Sequence, residues 1–379
     1  MSRSVRRPRV LHVVQRYFPE MGGLETHVAE VTRGLQEAGE FDVTVLTTDR
    51  SGQLPRRDEV NGVPVLRRRS WPRHGDLYLA PGLPAPLVRG RWDLVHVQGV
   101  NTLAPPVGML AAIASRTPFV LTFHSGGHSS PVRTAGRRAQ YGALAPLLRR
   151  AARLIAVSRF ERSLFMGVTG LPQDRFTVIP NGGRLPATPA DVRPVSGRIV
   201  TSGRLERYKG HHRVIEALPL VRRSVPEAHL VVLGRGPYEP ELREAARRAG
   251  VSEHVEIRAL APTDRGAMAT ELARSSVMAA MSEYEAHPVG VMEAVTLGLP
   301  VVGADVAGIG DLVEDGLVDG VPVDAEAAEL AAALVARLSV GAVDGAAPHS
   351  PRAVELPTWE TSVAATAQVY RDVLAGGRS

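Results

Sequence analysis

The chain has 379 residues, 44% hydrophobic and 22% charged, with no cysteine; this allows two domains of ordinary size and excludes a disulfide framework, a thiol nucleophile and a thiolate metal site. The net charge of +6 hides unequal halves: residues 1–185 hold 26 arginines against 13 acidic residues, net +13, and the remainder 19 basic against 26 acidic, net −7. With 4% aromatic residues and no helix-turn-helix, zinc or RNP-type pattern, nucleic acid is excluded as a partner, whereas an anionic membrane or acidic substrate suits the basic half.

Arg6-Arg7 is followed by no apolar signal region, because His12 and Gln15-Arg16 interrupt it, so residues 1–8 read as a basic tail. The uncharged run 97–115 contains Gln98, Asn101, Pro105 and Pro106, and is expected to be a loop plus a buried helix rather than a membrane span. The expected location is cytoplasmic, with peripheral contact on the inner face of an anionic membrane through Arg67-Arg68-Arg69, Arg137-Arg138 and Arg149-Arg150.

Taken in order, residues 9–14 predict a buried strand, 19–23 a glycine loop and 26–38 a helix with Val28, Val31 and Leu35 on one face. Strands follow at 42–47, 63–66 after an Asn61-Gly62 turn, 93–97, 119–123, 154–157 and 176–179, with helices near 103–114, 137–152 and 159–166. Residues 184–197 look like a linker. Strands at 198–202, 230–233, 255–258, 277–281 and 301–303 then repeat the plan, followed by a helix at 325–338 capped by Asp324, a Gly/Ala/Pro-rich loop at 341–357 and a last helix at 358–375 that turns Val363, Tyr370 and Val373 to a core. This alternation predicts an α/β chain of two Rossmann-like, doubly wound parallel-sheet domains whose ligands sit beyond the carboxyl ends of the strands. The expected boundaries are 1–185, 186–357 and a crossing segment at 358–379.

Lys209, the only lysine beside 44 arginines, lies in Gly203-Arg204-Leu205-Glu206-Arg207-Tyr208-Lys209-Gly210, between a predicted strand and a predicted helix. A compact ammonium with rotating donors suits a phosphate that shifts during reaction, and the planar guanidinium of Arg204 suits fixed contacts. Glycines that admit close approach, and a helix that points free N–H groups back at the loop, complete a diphosphate site. Glu285 and Glu293 follow, the first in a loop and the second inside a helix opened by Pro288 and closed by Gly298, so two carboxylates are available to hydroxyl-rich ligands. His124 sits at the carboxyl end of a parallel strand, where ligands are met, while His128, His211 and His212 are taken as surface or loop residues.

At these residues the chain resembles family 4 of the glycosyltransferases (glycosyltransferase group 1), retaining enzymes of the GT-B fold that use nucleotide-sugar donors in polysaccharide or glycoconjugate biosynthesis. The resemblance runs through Gly22-Gly23-Leu24-Glu25, Thr122-Phe123-His124, Val157-Ser158, Ile179-Pro180-Asn181-Gly182, Gly203-Arg204-Leu205 with Lys209-Gly210, Gly234-Arg235-Gly236-Pro237, and Glu285/Glu293 followed by Gly298-Leu299-Pro300. It implies two domains facing a cleft, with Arg204 and Lys209 on the donor diphosphate, Glu293 on the ribose hydroxyls and Glu285 on the transferred sugar. Gly22, Gly23, Gly203 and Gly234 would line the donor site, and His124 would meet the sugar near the reacting carbon. The implied catalytic set is His124, Glu285, Arg204 and Lys209. The expected donor is a UDP-sugar first and a GDP-sugar second, the acceptor a hydroxyl, and no cofactor or metal is required, since cations and a helix end stand where a metal enzyme would place carboxylates.

Two departures from the family pattern stand out. Glu285-Ala286-His287-Pro288 replaces Glu-Gly-Phe-Gly, so the proline offers no amide there, and Gly183-Arg184 follows Asn181-Gly182 in place of an aliphatic residue and aspartate. A dinucleotide oxidoreductase is excluded because no Gly-x-Gly-x-x-Gly follows the first strand. A nucleotide-sugar epimerase or a silent sugar-binding relative remains as the alternative reading.

Overall fold

Strand-helix alternation is realised as two separate, mainly parallel sheets. The computed structural model describes residues 6–20, 22–73, 78–126, 131–261, 264–340 and 356–376. Residues 1–5 of the basic tail, His128 and residues 341–355 of the expected loop lie outside them. The chain divides into one unit of Met1–Ser125, Ala135–Asn181 and Thr358–Ser379 and another of Gly126–Thr134 and Gly182–Pro357.

The first sheet is built from β1 (Arg9–Val13), β2 (Asp42–Asp49), β3 (Arg57–Val60), β4 (Val63–Arg69), β5 (Leu94–Gln98), β6 (Phe119–Thr122), β7 (Arg153–Ala156) and β8 (Phe176–Val178). The connecting helices are α1 (Gly23–Ala38), α2 (Pro84–Arg89), α3 (Ala104–Ala114), α4 (Pro131–Leu148) and α5 (Arg159–Thr169). Strand order is β3-β4-β2-β1-β5-β6-β7-β8, parallel throughout except for β3, which pairs antiparallel with β4. The sequence reading missed β3 because Arg57, Asp58 and Glu59 are exposed and charged, as edge strands are when they avoid pairing with another chain. Asn61 and Gly62, both at positive φ, make the two-residue hairpin that turns β3 into β4.

The second sheet contains β9 (Arg198–Ser202), β10 (His229–Leu233), β11 (Val255–Arg258), β12 (Val277–Ala280), β13 (Val301–Ala304) and β14 (Asp319–Val321), in the order β11-β10-β9-β12-β13-β14. Its helices are α6 (His211–Ser224), α7 (Glu239–Arg248), α8 (Arg265–Ala273), α9 (Val289–Thr296), α10 (Ala307–Glu314) and α11 (Ala327–Val340). The period-two alternation of each strand divides its apolar residues between the faces. Ile199, Leu230, Val232 and Val277 join one core, and Val200, Val231, Leu233 and Met278 the other. Helix α11 begins three residues beyond the expected Asp324 cap, and β14 was missed because Asp319-Gly320 carries no strand signal.

The last helix, α12 (Trp359–Gly376), belongs to the first unit and buries Trp359, Ser362, Thr366, Ala367, Val369 and Tyr370. It lies so close to α1 that a Cβ at Gly34 would stand 2.6 Å from Val363 Cγ2. Tyr370 is fully buried, whereas Val363 and Val373 are half-buried. Arg67, expected in a surface patch, is 3% exposed: it pairs with Asp58 and donates to the Phe18 carbonyl, 2.9 Å away, so Arg68 and Arg69 are the patch residues that remain. Arg149 and Arg150 are exposed and Arg137 is half-buried.

Candidate active site

In the second unit, the strand order reverses between β9 and β12, and the loops that leave these two strands carry the residues singled out by the sequence. Open parallel sheets bind ligands at such a switch point. The loop after β9 is fixed by backbone packing. Gly203, at φ +144°, leaves the strand, and its carbonyl would lie 1.9 Å from a Cβ at Gly234. Leu205 N donates to the Arg235 carbonyl at 2.9 Å and Tyr238 N to the Leu205 carbonyl at 3.0 Å, which laces this loop to the one after β10. Gly210, at φ +71°, opens α6 where a Cβ would come within 1.9 Å of the Met281 carbonyl, so only glycine fits.

Inside that frame Lys209 Nζ forms an ion pair with Glu285 Oε1, which also accepts from Ser282 Oγ at 3.0 Å. Burial pushes the Lys209 ammonium down, but Glu285 and Tyr208 outweigh it and hold the group above its ordinary value, so it stays charged. The Arg204 guanidinium is largely exposed, 3.1 Å from Glu206 Oε1 and 3.4 Å from the Tyr208 hydroxyl. His211, expected at the surface, is instead buried. Because the Arg204 carbonyl can only accept, His211 Nε2 donates to it at 3.3 Å, and Nδ1 accepts from Thr201 Oγ1 at 3.0 Å. Burial keeps this ring neutral, with its pKa lowered to about 4. Glu293, on α9, is 4% exposed and pairs with Arg265 at the start of α8, a partner the sequence did not reveal. Lys209, Glu285 and Ser282 are thus brought together directly, while Glu293 has a separate cationic partner.

In the first unit, Gly22 is the N-cap of α1 and Gly23 its first residue, with nothing within 4 Å of a Cβ at Gly23. His124, just past β6, has a left-handed backbone at φ +47°, a conformation uncommon outside glycine and held here from both sides. Asn101 Nδ2 donates to its carbonyl at 3.3 Å, and the next residue is gripped by Glu161, whose Oε1 accepts from both Ser125 N and Ser125 Oγ at 2.6 Å. The other Glu161 oxygen accepts from Val157 N at 2.9 Å, while the Ser158 hydroxyl caps α5 by accepting from Glu161 N at 3.1 Å. Burial pushes the Glu161 carboxyl up, against the pull of these Ser125 and Val157 donors. His124 Nε2 lies 2.9 Å from Gln98 Oε1, and its ring packs edge-on to His27, 4.4 Å between centroids. His27 Nδ1 in turn donates to Asn181 Oδ1 at 2.8 Å, which gives a structural task to an asparagine that carried none in the sequence reading.

Two family models match the chain in succession, Glycosyltransferase Family 4 over residues 21–183 and Glycosyl transferases group 1 over residues 195–340. The chain belongs to the group 1 glycosyltransferases of family 4. This glycosyltransferase is 29% identical to the glycogen synthase of Mycobacterium tuberculosis, with 98% of this chain and 96% of that protein covered. It is 27% identical to a GDP-mannose:cellobiosyl-diphosphopolyprenol alpha-mannosyltransferase of Xanthomonas oryzae, over 79% of each. Its GT-B fold is shared with the sucrose-phosphate synthase of Thermosynechococcus elongatus, at a TM-score of 0.73 and 17% identity over 98% and 100% of the two chains. The Anabaena protein HepE, solved with UDP and glucose, follows at a TM-score of 0.71 and 21% identity over 96% and 95%.

Proposed function

We propose that this glycosyltransferase moves a sugar, with retention at the anomeric carbon, from a nucleoside-diphosphate sugar to a hydroxyl of a glycan, lipid-linked or small-molecule acceptor. The observation that carries the reading is the charged Lys209 paired with Glu285 in the loops on either side of the sheet's switch point. Breaking the anomeric C–O bond sends its electron pair to the diphosphate. Lys209, Arg204 and the N–H groups at the start of α6 are assigned to stabilise that charge without a divalent metal. The acceptor oxygen bonds to the anomeric carbon from the face the diphosphate leaves, and its proton passes to the departing phosphate oxygen. Glu285 accepts from hydroxyls of the transferred sugar, Glu293 from those of the ribose, and His124 meets the sugar near the reacting carbon. Gly22, Gly23, Gly203 and Gly234 are assigned to the close backbone approach of the donor.

A UDP-sugar is the first donor proposed and a GDP-sugar the second, in keeping with the GDP-mannose named for the Xanthomonas relative. The proposed boundaries are 1–185 for the acceptor-side domain, 186–357 for the donor domain and 358–379 for the returning segment. We also assign a peripheral contact with anionic lipid on the cytoplasmic membrane face to the first unit. Exposed Trp71 and Leu79, hydrogen-bonded partners across a short bridge, adjoin Arg69 and Arg73, whose guanidinium nitrogens lie 3.6 and 3.5 Å from a Cβ at Gly52. No helix among the described residues is long and apolar enough to cross a membrane.

A thermal-shift screen against UDP-, GDP-, dTDP- and ADP-sugars, followed by turnover with the donor that stabilises most, tests the reading. Stabilisation by one nucleotide class with transfer to a hydroxyl acceptor is expected. Stabilisation by none of them, or release of an isomerised sugar in place of transfer, overturns it.

A further inference from the structure

Six polar side chains of the first unit form one continuous chain of hydrogen bonds that ends at His124. From its far end, Thr122 Oγ1 lies 2.7 Å from His96 Nε2, and His96 Nδ1 lies 2.6 Å from the Tyr370 hydroxyl. That hydroxyl is 2.9 Å from His12 Nε2; His12 Nδ1 is 3.2 Å from Gln98 Nε2, and Gln98 Oε1 is 2.9 Å from His124 Nε2. His12, His96, Gln98, Thr122 and Tyr370 are each no more than 1% exposed. Every ring is neutral: burial holds His12 at about 3 and both His96 and His124 well below the ordinary histidine value, and raises the Tyr370 phenol well above 10.

A neutral imidazole has one N–H and one lone pair, so each ring passes on the hydrogen-bond direction it receives. The Gln98 amide sets that direction. Its oxygen only accepts, so His124 carries its proton on Nε2; its nitrogen only donates, so His12 accepts at Nδ1 and is protonated on Nε2. His12 then donates to Tyr370, Tyr370 donates to His96 Nδ1, and His96 Nε2–H donates to Thr122. His124 is left with a bare Nδ1, which has no hydrogen-bond partner among the described residues.

We propose that Tyr370 is a positioning residue which, through His12 and Gln98, fixes the tautomer of His124 so that Nδ1 is presented as a hydrogen-bond acceptor to a sugar hydroxyl. The proposal rests on the assignment of His124 to the sugar. Removing the Tyr370 hydroxyl leaves His12 Nε2–H without an acceptor and His96 Nδ1 without a donor, so the Gln98 half of the chain is free to reverse and move the His124 proton to Nδ1. An Nδ1–H would oppose the hydroxyl proton it is meant to receive.

The test is two-bond 1H–15N correlation of the full chain labelled with 15N-histidine, the His124 signals assigned by their loss in His124→Ala. The parent is expected in the Nε2–H tautomer alone. In Tyr370→Phe the Nδ1–H tautomer should reach a comparable population, with kcat reduced at least twofold and donor affinity unchanged within a factor of two. Val363→Ala, which loosens α12 on Gly34, should lower Tm while leaving the tautomer and kcat as in the parent. A parent in the Nδ1–H form, or a tautomer indifferent to Tyr370→Phe, overturns the proposal. If that variant does not fold, His12→Phe breaks the next link and is read in the same way. Full turnover by His124→Ala would sink the sugar assignment instead, and the tautomer result would stand apart from it.

Discussion

Acidification should unfold the first unit cooperatively at a pH where most proteins are still stable, because of the histidines it buries. His12, His27 and His96 are 0%, 2% and 1% exposed, and burial lowers them to about 3, about 4 and well below 6.5. The unfolded chain takes up a proton on each below pH 6.5, whereas in the folded chain His12 and His27 take up none until about pH 4 and His96 is held down in the same direction, so the unfolded state binds more protons and stability falls as pH falls through that window. At pH 5 His12 and His27 each cost about 2 kcal/mol (1.5 pH units at ~1.36 kcal/mol per unit), hence ~4 kcal/mol for the two, with His96 acting in the same direction, against a total stability on the order of 5–15 kcal/mol for a protein. Below pH 6 the slope from His12 and His27 approaches ~3 kcal/mol per pH unit, and His96 steepens it. Glu161, raised by burial, works in the opposite direction, but it is one group against three, and the partly exposed His124 adds to the three. All three tryptophans, Trp71, Trp92 and Trp359, lie in the first unit, so tryptophan fluorescence during urea titration reads that unit by itself. Titrations at pH 7.5, 6 and 5 should show the midpoint collapsing. A loss of less than about 2 kcal/mol between pH 7.5 and 5, equivalent to one proton or fewer, would refute the reasoning.

Lys209→Arg should lower kcat about tenfold with donor affinity retained, since charge persists while the point-donor geometry at the departing phosphate is lost; an unchanged kcat with a raised KM would count against this. Glu293→Gln should weaken nucleoside-diphosphate binding about tenfold, because an amide satisfies ribose hydroxyls only in part and leaves Arg265 without its carboxylate; equal affinity by calorimetry removes the role. Gly210→Ala should destabilise the second unit by roughly 2–4 kcal/mol from a left-handed backbone and a Cβ driven into the Met281 carbonyl. Circular dichroism would register that loss, while the tryptophan-reported transition of the first unit would not move. Turnover should survive excess EDTA, and a loss restored by Mg²⁺ or Mn²⁺ would overturn the assignment of charge stabilisation to Lys209 and Arg204.

Local pattern by itself determined a good deal. Apolar runs of strand length separated by helical periodicity gave the α/β plan, and most strand positions fall where they were expected, because burial on both faces of a parallel sheet writes itself into consecutive residues. The Lys209 loop was legible because the constraints on it are short-range: glycines at 203 and 210, a strand before and a helix after. Glu161 left a readable trace as well, since Ser158 and Glu161 have the spacing of a capping box.

What only the tertiary structure decided is the partner of each polar group. Tyr370 meets His96 across 274 residues and His12 across 358, Arg265 reaches Glu293 across 28, and Arg67 is drawn from the expected surface patch into a buried position where it pairs with the exposed Asp58 across the β3–β4 hairpin. A histidine in a strand reads alike whether it faces water or another imidazole. Its partner is chosen by strand order and by where the last helix docks, and both follow from packing summed over the whole unit rather than from any window of sequence.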